Sequence, residues 1–132
     1  MGYGRHVRIA LRVLLAVLAG LAVMFALNLA GSAVASALGF SAGGTARLGW
    51  DLLCVVLSGI AGTWAAVRLA PCAPRLHALA FFLLVLLMDG YAVAALGADF
   101  PEWFSAGLLL TLPLQVWAGA RLALSRRHRG MA

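Results

Sequence analysis

Apolar and polar positions alternate along this chain on a scale much longer than a strand or an amphipathic helix. Four apolar runs, Val13–Leu38, Leu48–Leu69, Leu76–Leu96 and Ser105–Leu124, are divided by short stretches of glycine, proline and arginine. Each run holds about 20 residues or more, enough at 1.5 Å per residue to cross the ~30 Å hydrocarbon core of a bilayer. The breaks fall at Gly39, Gly43 and Gly44, at Pro71 and Pro74, and at Gly97 and Pro101. The pattern predicts an all-α, polytopic membrane protein with four transmembrane helices, over 13–38, 48–69, 76–96 and 105–124. No connector could hold a second domain, so 1–132 reads as one four-helix unit with basic ends at 1–12 and 125–132.

Composition excludes the other classes. Of 132 residues, 64% are hydrophobic and 11% charged, and the mean hydropathy is +1.02. A soluble domain carries about 25% charged residues, and a disordered chain is poor in apolar ones.

Charge sets the expected orientation. The net charge of +6 comes from ten arginines against Asp51, Asp89, Asp99 and Glu102. Arg5, Arg8 and Arg12 precede the first run, Arg68 and Arg75 flank the second break, and Arg121, Arg126, Arg127 and Arg129 close the chain. Only Arg47 lies on the other side. This positive-inside bias predicts that both termini are cytoplasmic. Its basic face would rest on anionic lipids, and nucleic acid is not an expected partner. Trp50 and Trp103 mark the outer interface. Trp64 and Trp117, each followed four residues later by Arg68 or Arg121, mark the inner one. The first apolar stretch is longer than the core of a secretory signal, so it reads as a retained helix despite the Ala33-Val34-Ala35 pattern.

Trp64-Ala-Ala-Val-Arg68-Leu-Ala aligns without gaps on Trp117-Ala-Gly-Ala-Arg121-Leu-Ala. Two readings stay open: a duplicated helical hairpin with an axis along the membrane normal, or belt anchors spaced alike by the bilayer.

Asp89 is the position most suggestive of chemistry, because it lies near the middle of the third run. A carboxylate at that depth costs about 2.5–3.5 kcal/mol on insertion scales and needs a partner. Counted from the outer helix ends, Asn28, Ser58 and Gln115 fall within about 3–4 Å of its depth. Facing inward, the four would form one polar layer, a register device or a site of proton or cation handling. Pro113 would also free the Leu109 carbonyl nearby as an acceptor.

Cys54, Ser58, Gly62 and Ala66 recur every four residues, a seam of small side chains suited to close helix packing. Asn28, Ser32 and Ser36 form a similar stripe on the first helix. Cys54 and Cys72 read as small apolar fillers, too far apart to be bridged. His77 reads as an interfacial residue without metal-ligand spacing. Asp99-Phe-Pro101-Glu102 reads as a cap in which Asp99 accepts from the Glu102 amide. No catalytic constellation, metal-ligand set or cofactor motif is present in the sequence.

At Arg68-Leu-Ala-Pro71 and His77-Ala-Leu, at Phe100-Pro-x-Trp103, at Pro113 and at Gly119-Ala-Arg121-Leu, the chain resembles a group of small proteobacterial inner-membrane proteins. They are four-helix proteins without an established activity. The resemblance implies topology and location and transfers no catalytic residue; Asp89 departs from it. The expected role is a non-enzymatic accessory or helix–helix interaction protein, as a homo-oligomer or in a larger membrane complex. The alternative is a small oligomeric transporter or channel-like protein with Asp89 as its proton- or cation-responsive group.

Overall fold

The computed structural model describes residues 2–130, apart from the side chains of 127–129. It is an all-α bundle of α1 (Tyr3–Ala37), α2 (Thr45–Leu69), α3 (Pro74–Leu96) and α4 (Glu102–Arg129), with a 3₁₀ turn at Gly97–Asp99. All four helices are long and apolar enough to cross a membrane.

Two helices outrun their apolar segments. α1 has 35 residues and starts ten before Val13; α4 has 28 and continues past Leu124. Arginine is a good helix former, so backbone hydrogen bonding continues where hydrophobicity stops. At 1.5 Å per residue α1 is about 52 Å long, and its arginine-bearing turns project beyond a ~30 Å core.

Local chemistry sets the ends. α1 closes with Gly39 in the left-handed region (φ +77°); the Gly39 and Phe40 amides donate back to Ser36 and Ala35 at 3.1 Å. Both orphan carbonyls are thereby satisfied, and a Cβ at residue 39 would be strained. The turn into α3 instead places Ala73 in the left-handed region (φ 42°), immediately before Pro74. At α4 the sequence-based cap is corrected. Asp99 is taken up in the 3₁₀ turn, Phe100 is extended, and the first residue outside the helix is Pro101, with no side-chain cap. The Pro101 carbonyl accepts from the Phe104 and Ser105 amides at 3.0 and 3.3 Å.

Many of the buried residues are small, and many of the exposed ones are large and apolar. Ala66 and Ser58 are fully buried, whereas Leu87 is 71% and Leu110 78% exposed. Water would penalise that distribution heavily, while lipid tails, as apolar as leucine, would not. α2 is the central helix, with α1 on one side and α4 on the other; α3 leans on α4 and α2. Phe81 of α3 fills the junction, packing with Ala66, Val85 and Leu112 against Val17, Leu21 and Met24 of α1.

Candidate functional site

α2 carries two seams. On one, Gly62 and Ala66 meet Gly20 of α1, and Cys54 meets Gly31. Three members of the repeat Cys54, Ser58, Gly62, Ala66, all but Ser58, thus meet a glycine of α1 within the chain. On the other, Gly59 meets the Gln115 carboxamide, and Gly119 of α4 lies against Ile60 and Thr63. The α4 side has its own four-residue repeat, Gly107, Thr111, Gln115, Gly119 and Ala123. Sequence reading missed this repeat, because Thr and Gln interrupt the small residues.

Among the described residues no hydrogen bond joins Asn28, Ser58, Asp89 and Gln115 to one another. Gln115, 1% exposed, donates through Nε2 to Thr111 Oγ1 at 3.0 Å, and Thr111 donates on to the Gly107 carbonyl at 2.6 Å. The Ser58 hydroxyl donates to the Val55 carbonyl at 3.0 Å. These bonds stay within their own helices, while the oxygen of the Gln115 carboxamide lies against Gly59 of α2. Asn28 is half-buried on α1, a helix that adjoins α2 far more than α4.

Asp89 continues, by helical periodicity, the face of α3 that packs against α4 nearer the start of the helix. Ala78, Phe82, Val116 and Ala120 line one apolar groove there, and Val85 meets Leu112 in the core. Ala78, Phe82, Val85 and Asp89 share one face of α3 by helical periodicity. Seven positions on from Phe82 is Asp89, and seven back from Val116 is Leu109. Counted antiparallel from Phe82 and Val116 or from Val85 and Leu112, Asp89 falls near the level of Leu108 and Leu109, and the Leu109 carbonyl lacks the amide donor that Pro113 cannot supply. Asp89 is half-buried, and no hydrogen bond joins its carboxyl to another described residue.

A second polar cluster ties α1 to α2 at the other bundle end. Arg47 Nε donates to both Asp51 oxygens at 3.1 and 3.2 Å; its terminal nitrogens donate to Ser32 Oγ at 2.7 Å and Ser36 Oγ at 3.3 Å. Trp50 Nε1 donates to the Gly31 carbonyl at 2.9 Å, and its ring meets Phe40 edge-on at 6.1 Å. Trp50 is therefore a clasp between helices as well as an interface aromatic. The Arg47–Asp51 spacing, one turn apart, was the available signal. That Ser32 and Ser36 complete the cluster depends on how the hairpin closes.

The remaining anchors differ from one another. Trp103 is 45% exposed and stacks edge-on against Phe104. Trp117 is exposed, with the Arg121 guanidinium 5.1 Å from its ring centre. Trp64 is half-buried against Val67, Ala78 and Ala123, and Arg68 is exposed at the end of α2. The paired tryptophans of the two hairpins thus stand in different surroundings. His77, expected at the interface, is buried; its Nδ1–H donates to the Ala73 carbonyl at 3.2 Å. Cys72 is no filler, being exposed in the α2–α3 turn. Among the described residues no group of three His, Cys, Asp or Glu side chains is placed to hold a metal ion.

No protein-family model matches the chain, and no curated protein or solved structure does so either. What stands is a small protein with four helices long and apolar enough to span a membrane.

Proposed function

We propose that this chain is a non-enzymatic accessory protein of the bacterial inner membrane, both termini cytoplasmic, acting through contacts with other transmembrane helices. The observation that carries this reading is Asp89, a half-buried carboxyl within the α3 span without a hydrogen bond to any other described residue. A helix from a second copy or a larger complex would give it the partner that its depth requires. The orientation is supported by the gathering of Arg5, Arg8, Arg12, Arg68, Arg75, Arg121 and Arg126 at the end of the bundle bearing both termini.

A second reading, an oligomeric transporter with Asp89 as its proton- or cation-responsive group, draws on the Leu109 carbonyl near the same level. Asp89→Asn and Asp89→Leu separate the two. For an accessory protein, Asn keeps association and Leu weakens it about three- to fifteen-fold, the range of an interhelical hydrogen bond in membranes. Melting of the bundle is unchanged, because no bond within the chain is lost. Association of Asp89→Leu equal to wild type would defeat this reading. Loss of pH-dependent flux in proteoliposomes on Asp89→Asn would establish the transporter instead.

A further inference from the structure

The N-terminal turns of α1 and the α2–α3 turn flank an open cleft of about 630 Å³, lined by the exposed residues Arg5, Arg8, Arg12, Pro71 and Cys72. A second groove of about 530 Å³ shares Arg12 and Pro71 with it and continues along Leu15, Ala16, Ala19 and Leu69. Both volumes are in the range of ligand sites. At 100° per residue, the three arginines and Leu15, Ala16 and Ala19 fall within about 100° of arc. One face of α1 is therefore strongly basic at its start and apolar from Leu15 onward. The polarity divides along the helix axis, not around it.

We propose that this two-part cavity binds one anionic phospholipid, its phosphate between Arg5, Arg8 and Arg12 and an acyl chain in the groove beside Leu15, Ala19 and Leu69. Charge complementarity supports the headgroup. Asp51, Asp99 and Glu102 stand at the opposite end of the bundle and Asp89 inside it, so no side-chain carboxylate neutralises the three guanidiniums. The ion pair found among the described residues joins Arg47 to Asp51. Continuity with the groove supports a lipid over a soluble phosphate, because a free anion would leave the apolar half unfilled. The depth also fits: Leu15 and Leu69 lie at the edge of the apolar spans, and Arg12, Arg8 and Arg5 step outward from it at headgroup level and beyond. The site needs a membrane setting but not the accessory role proposed above.

The test uses the full chain in nonionic detergent, with lipid retention read by native mass spectrometry. Phosphatidylglycerol should be retained in preference to phosphatidylcholine. Each of Arg5→Gln, Arg8→Gln and Arg12→Gln should weaken retention about five-fold, and the triple variant about a hundred-fold. Ala19→Leu, which fills the groove, should weaken it with all arginines in place. Arg121→Gln with Arg126→Gln, at the same bundle end but outside the cleft, should leave it unchanged. Cys72 gives a second readout: phosphatidylglycerol, but not phosphatidylcholine, should slow its alkylation. Equal retention of both lipids would overturn the proposal, as would equal losses in the control and triple variants. So would wild-type retention by Ala19→Leu, or displacement of the lipid by equimolar glycerol phosphate or inorganic phosphate, which would assign the cleft to a soluble anion.

Discussion

Gly20 of α1 and Gly62 of α2 approach so closely that a Cβ on Gly20 would lie 2.7 Å from the Gly62 carbonyl oxygen, and a Cβ on Gly62 2.8 Å from that of Gly20. The obstacles are backbone atoms, which no rotamer change can move. The α1/α2 hairpin is therefore closed by the absence of side chains at two positions far apart in sequence.

Leucine at either glycine should force the helices apart and cost about 1–3 kcal/mol. Gly90→Leu should fall within about 0.5 kcal/mol of wild type, since a Cβ there meets nothing within 4 Å. Unfolding in detergent by denaturant, followed by helicity, distinguishes the two. Equal stability of Gly62→Leu and Gly90→Leu would refute the close crossing.

Gly59 and Gln115 form the corresponding contact between α2 and α4. Gly59→Ala should destabilise by about 1–3 kcal/mol, and adding Gln115→Ala should recover most of the loss by vacating the space. Gln115→Leu alone should cost under about 1.5 kcal/mol, because Thr111 keeps its hydrogen bond to the Gly107 carbonyl. A double-mutant cycle in the same unfolding assay measures the coupling; additivity would show that the two residues do not meet.

Arg47→Met should lower stability by about 1.5–3 kcal/mol, because it removes charge-assisted bonds to Asp51, Ser32 and Ser36 together. In the Arg47→Met background, Ser32→Ala should have almost no further effect. An undiminished Ser32→Ala effect in that background would place the serine outside the cluster.

Ala73→Gly should raise stability by about 1 kcal/mol, because glycine adopts the left-handed conformation without the Cβ penalty. Ala73→Val should lower it by at least as much. Thermal unfolding of the two variants checks the sign of each change.

Much of the architecture was written in the sequence, for a physical reason. A stretch of about 20 apolar residues has one stable state in a bilayer, a helix with its backbone hydrogen bonds satisfied internally. The four spans, the breaks at Gly39, Pro74 and Pro101 and the basic helix ends follow from that local condition. So does the small-residue seam from Cys54 to Ala66, which is visible as a four-residue period.

Which surface each seam meets was settled only by tertiary structure. Exposed and buried faces of these helices are both apolar, so hydrophobic periodicity does not say which side turns inward. The depths of Asn28, Ser58, Asp89 and Gln115 could be counted, but their azimuths depend on glycine contacts such as Gly20–Gly62 and Gly59–Gln115. Those contacts turn Gln115 toward α2 and bring Ser32 to Arg47, fifteen residues away along the chain. The arginine cleft is the same case. Its three arginines precede the first apolar run; the continuation of α1 to Tyr3 sets them on one helix face, and the turn at Pro71 that completes the cleft is brought there by the closing of the α1/α2 hairpin. Backbone hydrogen bonding fixes each helix alone, whereas side-chain volume at a few crossing points fixes how the helices face one another.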